Sequence, residues 1–395
     1  MPRVHASSFG SVRSQTRGYM GVVSIFIHPL QRGRLGFMEG KIIFYLCFLI
    51  CFLLTGNAGV KGSSHHHHHS HRHLFGFRPL KLFVFGDSYA DTGNIGKTAA
   101  NSWKVPYGIT FPGKPAGRFS DGRVLTDYLA RFVGIKSPIP YRWRNLGAKH
   151  LRYGMNFAFG GTGVFDTLVA LPNMTTQIDF LQELLSNKVY TWPDLQSSVA
   201  LVSIAGNDYG AYLARGGSSQ TLQSFILLVV DQLVVNLKRL HGMGMKKVAV
   251  TSLEPLGCLP QTTVSSSFQE CNGTQNTAVT FHNLLLSQAV TKLNNETKDS
   301  PFVILDLYAS FMSVFENKAD HLGSSKFENP LKPCCMGISS EYSCGSVDES
   351  GAKKYTICDD PESAFFWDTV HPTQQGWNAV YSALQGTLQQ LHSLY

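Results

Sequence analysis

The sequence predicts an α/β fold, a parallel sheet covered by helices on both faces. Three observations carry this. Four short runs, Lys81–Phe85, Val199–Ala205, Lys247–Ser252 and Phe302–Leu307, are almost unbroken Val, Ile, Leu, Ala and Phe, as strands buried on both faces must be. Helix-length segments with apolar residues at helical spacing lie between them. Two of the runs stop on small polar clusters, Gly86-Asp87-Ser88 and Gly206-Asn207-Asp208, and in such sheets ligands bind beyond the carboxyl ends of the strands.

Taken in order, the chain opens with residues 1–37, rich in Arg and Ser and free of acidic residues. They are expected to be an upstream extension, with Met38 as the natural start. Ile42–Leu54 is an unbroken apolar run of thirteen residues, short of the ~20 a membrane span needs. Lys41 precedes it and Thr55-Gly56-Asn57-Ala58 follows, so residues 38–58 read as a secretory signal cleaved after Ala58. Residues 59–78 contain the tract KGSSHHHHHSHRH, whose composition matches an affinity tag or a natural low-complexity linker. A flexible tract is the expectation, with surface metal binding the rival. The folded domain is expected over 79–392.

Within it, Ser120 is expected to cap a helix running to about Phe132, with Gly134 as its stop. Met155–Phe159 runs into Gly160-Gly161-Thr162-Gly163, a third cluster for the same rim. Leu222–His241 reads as a helix ending at Gly242, Asn276–Leu293 as another, and Thr373–Leu394 as the last despite Gly376 and Gly386. Strand–helix–strand alternation implies right-handed crossovers in one sheet. The cysteine-rich stretch 330–360 reads as an insertion on the same domain.

Composition excludes some functions. The formal net charge is +8, but residues 1–59 hold six of the 34 basic residues and only Glu39 of the 26 acidic ones, so the rest carries +3. With no basic stripe interleaved with aromatics, nucleic acid is not an expected partner. Cys47 and Cys51 fall in the apolar leader. The remaining six, Cys258, Cys271, Cys334, Cys335, Cys344 and Cys358, suit disulfides in an oxidising compartment, with pairing undetermined. Zinc is the rival, but there is no C-x-x-C pair. Sequons at Asn173, Asn272 and Asn295 are candidate glycosylation sites on a secretory route.

The polar clusters suit acyl transfer. A serine hydroxyl needs a base to take its proton. Of the six histidines beyond the leader and the His-rich tract, only His371 has a carboxylate, Asp368, three residues earlier in a non-helical stretch, FFWDTVHPT. Asp368 could orient and stabilise the imidazolium. The N–H groups of Ser88 and Gly161 and the Asn207 amide are candidate oxyanion donors. Each piece alone has a plainer reading. Gly-Asp-Ser and Gly-Asn-Asp are common turns. His371 before Pro372 also reads as a helix start. The glycines at 160–163 lack dinucleotide-loop spacing. Their conjunction is what points to chemistry.

With those residues in view, the chain resembles the plant GDSL esterase/lipases of the SGNH hydrolase superfamily. FVFGDSYADTGN is similar to the family's first block, NFAFGGTG to the second, IAGNDY to the third and FFWDTVHPT to the last. PAGRFSDGRVLTDYLA and PLGCLP are also similar to stretches of the plant members. The resemblance spans about 79–392. It implies a flavodoxin-like three-layer α/β/α sandwich with a five-stranded parallel sheet. It implies Ser88 as nucleophile, His371 as base, Asp368 as its orienting acid, and an oxyanion hole from Ser88, Gly161 and Asn207. No cofactor or metal is implied. Tyr89 stands where the family has Leu, so altered packing or acyl-pocket shape is expected beside the nucleophile. Ala90 stands where a G-x-S-x-G elbow needs its second Gly.

The leading expectation is therefore a secreted, extracellular serine esterase or lipase acting on small-molecule or lipid esters, with no obligate protein partner and no stable membrane insertion after signal cleavage. The same acyl-enzyme meeting an alcohol would make it an acyltransferase. A metallophosphoesterase using Asp87, Asn207, Asp208 and His371, and a non-catalytic wall- or glycan-binding protein, are the alternatives from other classes. Acyl length is expected to be set by loops such as 101–115 and 162–175.

Overall fold

A computed structural model describes residues 77–98, 100–297, 299–316 and 327–392. The expected upstream extension (1–37) and signal peptide (38–58), and all of the linker (59–78) but its last two residues, lie outside the described residues.

The elements run β1 (Lys81–Gly86), α1 (Leu125–Phe132), β2 (Ile139–Pro140), β3 (Gly154–Asn156), α2 (Met174–Ser186), β4 (Ser198–Ser203), α3 (Gly206–Ala214), α4 (Ser219–Gly242), β5 (Lys247–Thr251), α5 (Gly273–Glu296), β6 (Phe302–Leu305), α6 (Leu307–Phe315), β7 (Cys335–Gly337), β8 (Tyr355–Ile357) and α7 (Gln374–Ala383). The first six strands form one parallel sheet in the order β2-β3-β1-β4-β5-β6. Without the two-residue edge strand β2, this is the 2-1-3-4-5 order of flavodoxin. The sheet thus has six strands where five were expected; Ile139–Pro140 is too short to leave a pattern in the sequence.

The apolar runs are explained by the two faces they serve. Phe83, Phe85, Ala200, Val202, Val248 and Val250 pack with α2, α4 and α5. Leu82, Val84, Val199, Leu201, Ala249, Val303 and Leu305 pack with α1, α6 and α7. Alternate residues point to opposite faces, so a strand buried on both sides has no polar position to spare. Helix α4 is long and apolar enough to cross a membrane by length and composition, yet Ile226, Val229, Leu233, Leu237 and Leu240 are core residues of this sandwich.

Several boundaries differ from expectation for local reasons. Helix α1 begins at Leu125, not after Ser120; the Asp127 carboxylate accepts the Val124 N–H at 3.0 Å, while the Ser120 hydroxyl accepts the N–H of Gly122. The last expected helix breaks after Ala383, beside Gly386, into α7 and two short helical turns ending at Leu391. Gly134 does follow α1, at φ +76°.

The chain leaves β1 for β3 on one side and returns as β4 on the other, which makes the carboxyl end of β1 the topological switch point where a crevice opens. Ser88 lies two residues past that end.

Candidate active site

Gly86 ends β1 at φ +153°, and a side chain there would run into the Ser203 carbonyl of β4. Only glycine lets the chain turn sharply this close to its neighbour. Gln177 of α2 completes the strand end: its amide accepts the Gly86 N–H at 2.8 Å and donates to the Gly86 carbonyl at 2.9 Å. Asp87 N–H bonds to Ser203, and the N–H groups of Ala90 and Asp91 return to the Asp87 carbonyl. That turn lifts Ser88 to the rim.

The structure brings Ser88, His371 and Asp368 into one hydrogen-bonded chain. Ser88 Oγ lies 2.8 Å from His371 Nε2, and His371 Nδ1 lies 2.8 Å from both Asp368 oxygens. Asp368 also accepts the backbone N–H groups of Val370 and His371 and the Tyr107 hydroxyl, the last at 2.7 Å. Burial pushes the Asp368 carboxyl up, but the His371 ring, its hydrogen bond, Tyr107 and the Val370 N–H outweigh it and hold Asp368 below the ordinary carboxylate range.

Asn207, at the start of α3, donates its amide to the Thr162 carbonyl at 3.0 Å, tying it to the segment that carries Gly161. Gly160 and Gly161 differ. The Gly160 N–H donates to Asp91 Oδ2 at 3.1 Å. Gly161 sits at φ +80°, and among the described residues its N–H, like that of Ser88, donates to no protein acceptor.

Several buried polar residues here carry no sequence signal specific enough to name a role. Tyr107 is one. Asp91 accepts the N–H groups of Gly93, Asn94 and Gly160, joining the Ser88 turn to the glycine segment; burial raises it to about 6 against those bonds. Asp208 accepts the N–H groups of Val164 and Phe165, both at 2.9 Å, and burial raises it to about 6. Each Asp208 oxygen is thus engaged by the backbone of the segment after Gly163. Glu254, just past β5, is buried, and burial raises it to about 7 against its own N–H, the His371 charge and the Tyr89 hydroxyl. Burial and then the Glu254 charge push Asp87 well above the carboxylate range. Asp368 and Asp87 are thus shifted in opposite directions, Asp368 below and Asp87 above the ordinary carboxylate range.

Tyr89 is buried against Phe311 and Trp377, edge-on to His371 at 5.9 Å between centroids, and its hydroxyl donates to the Val370 carbonyl at 2.9 Å. It braces the His371 loop from the α6–α7 side.

The six cysteines pair as Cys258–Cys271, Cys334–Cys358 and Cys335–Cys344. The last two staple the β7–β8 hairpin, whose Cys334 and Cys335 N–H groups donate to Phe366 and Trp367, beside Asp368. Asn272 and Asn295 are exposed, whereas Asn173 is half-buried and its amide nitrogen donates to Asp166 at 2.7 Å.

With this geometry in hand, comparison with known proteins is specific. A model of the GDSL-like lipase/acylhydrolase family matches residues 82–384. The chain belongs to that family. Membership makes it a carboxylic ester hydrolase. In Arabidopsis thaliana, GDSL esterase/lipase At5g03610 is 61% identical over 357 residues, covering 89% of this chain and 98% of the relative. GDSL esterase/lipase At3g09930 is 57% identical over 317 residues, 80% and 90% of the two chains. GDSL esterase/lipase At5g03590 is 50% identical over 317 residues, 78% and 89%.

Proposed function

We propose that this GDSL hydrolase cleaves carboxylic esters through an acyl-enzyme on Ser88. The Ser88 hydroxyl proton passes to His371 Nε2 as Oγ bonds to the carbonyl carbon. The carbonyl oxygen becomes an oxyanion received by the N–H groups of Ser88 and Gly161 and the Asn207 amide. Collapse breaks the bond to the alcohol oxygen, which takes the proton from His371. Water, deprotonated by His371, then attacks the acyl-enzyme and releases the acid and Ser88. Asp368 holds the ring in the tautomer with Nε2 open and stabilises the imidazolium.

The observation that carries this reading is the unbroken chain from Ser88 Oγ through His371 to Asp368, each link 2.8 Å. It is supported by the N–H groups of Ser88 and Gly161, which among the described residues donate to no protein acceptor. The test is stoichiometric labelling by a serine-reactive phosphonate, mapped by mass spectrometry, together with Ser88→Ala. Labelling of Ser88 with a loss of at least about 10⁴-fold in kcat is expected. A folded Ser88→Ala protein that still turns over esters, or full inhibition by a chelator, would overturn it.

We further propose that the protein is secreted. The apolar run Ile42–Leu54 behind Lys41, together with three disulfides, supports export to an oxidising compartment. Asn272 and Asn295 are the sequons best placed to carry glycans. Terminal sequencing and glycosidase treatment of protein from the culture medium test both points; a protein retained in cells with its leader uncut would refute export.

A further inference from the structure

An apolar cavity of about 540 Å³ lies between α3, α4 and α5, within the ~300–1,000 Å³ of small-molecule sites. Helix α3 faces it with Gly206, Tyr209, Gly210 and Leu213, the i, i+3, i+4, i+7 stripe that a helix normally buries. Leu222 and Ile226 of α4 and Ala278 and Val279 of α5 line the other walls. No charged side chain among the described residues lines it. The Tyr209 hydroxyl is engaged with His282 Nδ1 at 2.7 Å. Burial lowers His282 to about 4, so that pair is neutral at physiological pH.

Two connections tie this cavity to the Ser88 site. Gly206, on its wall, precedes Asn207 directly. Gln261, also on its wall, donates its N–H to the Thr369 carbonyl at 2.9 Å, two residues before His371. The walls of the cavity are therefore joined through the backbone to the segments that carry Asn207 and His371. Gly210 is the position on this wall with most room for a substitution. It sits inside a helix, where glycine is less favourable than alanine. Its φ is not left-handed, and a Cβ there would meet nothing within 4 Å. Neither backbone nor packing requires glycine there, so a larger side chain can be placed on this wall without strain.

We propose that this cavity receives the acyl chain of the ester, so that the hydrolase prefers medium-length straight acyl groups over acetyl. The proposal rests on the Ser88 reading. The loops 101–115 and 162–175, expected from the sequence to set acyl length, contribute no lining residue.

The test compares kcat/KM for p-nitrophenyl octanoate and p-nitrophenyl acetate in the unaltered protein, in Gly210→Leu and in Ala278→Trp, with melting curves to verify folding. Leu284→Trp, on an exposed position of α5 outside the cavity, controls for bulk. The unaltered protein is expected to favour octanoate by about tenfold or more, and each filling variant to lower that ratio by about tenfold, while Leu284→Trp leaves it unchanged. Gly210 is exposed, so Gly210→Leu should fold even if Ala278→Trp does not. A ratio unchanged by the filling variants, or lowered equally by Leu284→Trp, overturns the cavity assignment and leaves the Ser88 reading standing. No hydrolysis of either ester by the unaltered protein overturns both.

Discussion

Tyr107 and Asp368 are 261 positions apart in sequence and 2.7 Å apart in the structure, the phenol hydroxyl donating to Oδ2. The Tyr107 ring lies edge-on to Trp367, inside a small core that includes Cys334, Cys335 and Cys344. The disulfide-bonded β7–β8 hairpin and the loop around Tyr107 therefore meet on Asp368, the residue proposed to orient the base. In the proposed mechanism that carboxylate has to stay still and stay ionised, and the Tyr107 hydrogen bond favours both.

Tyr107→Phe keeps the ring against Trp367 and removes one hydrogen bond to a charged group, an interaction of about 1.5–3 kcal/mol. The expected result is a fall of roughly 10–100-fold in kcat, with KM within about twofold and the melting temperature lowered by a few degrees. Steady-state kinetics and a melting curve check this. A large drop in stability with kcat intact would assign Tyr107 to packing alone.

Asn207→Ala removes the proposed side-chain donor to the oxyanion. Loss of one such donor costs about 10²–10³ in kcat, and because it acts on charge that develops during reaction, KM should change little. Pre-steady-state acylation rates with p-nitrophenyl esters provide the measurement. An effect confined to KM would place Asn207 in substrate binding.

Glu254 gives a pH prediction. Burial lifts its carboxyl from the ordinary 4.5 to about 7. A folded-state pKa above the unfolded one means that the folded protein holds its proton more tightly. Stability is then fully present below about 4.5, declines as pH rises, and levels off above about 7, at a cost of roughly 3 kcal/mol. Glu254→Gln has no charge to bury and should escape that cost. Urea unfolding at pH 4 and pH 8 should find the variant near the unaltered protein at the lower pH and more stable at the higher. A difference that does not widen with pH would contradict the assignment.

Much of the fold was legible because parallel strands buried on both faces are written as apolar runs. Lys81–Phe85 needed no tertiary information to be found. Ser120 misled because a serine before an apolar stretch is a common cap, whereas the group used, Asp127, sits inside the first turn it caps. Strand β2 was invisible because two residues make no period. At the site, the order of the four family blocks carried Ser88, Gly161, Asn207, Asp368 and His371. Glu254 stood one residue before the quoted PLGCLP and was passed over, since an acid next to a proline in a loop reads as solvated until burial is known.

The sequence by itself determined the apolar strands and the polar clusters around Ser88 and Asn207 that follow two of them, because strand burial and motif spacing are local properties. The tertiary structure decided what surrounds those groups: the Tyr107 hydroxyl on Asp368, the burial that raises Asp87, the Gly160 N–H spent on Asp91 while among the described residues that of Gly161 is spare, and the apolar cavity between α3, α4 and α5. Each depends on which distant segments the sheet order brings together and on how much water they exclude, and neither quantity is encoded in any short window of the chain.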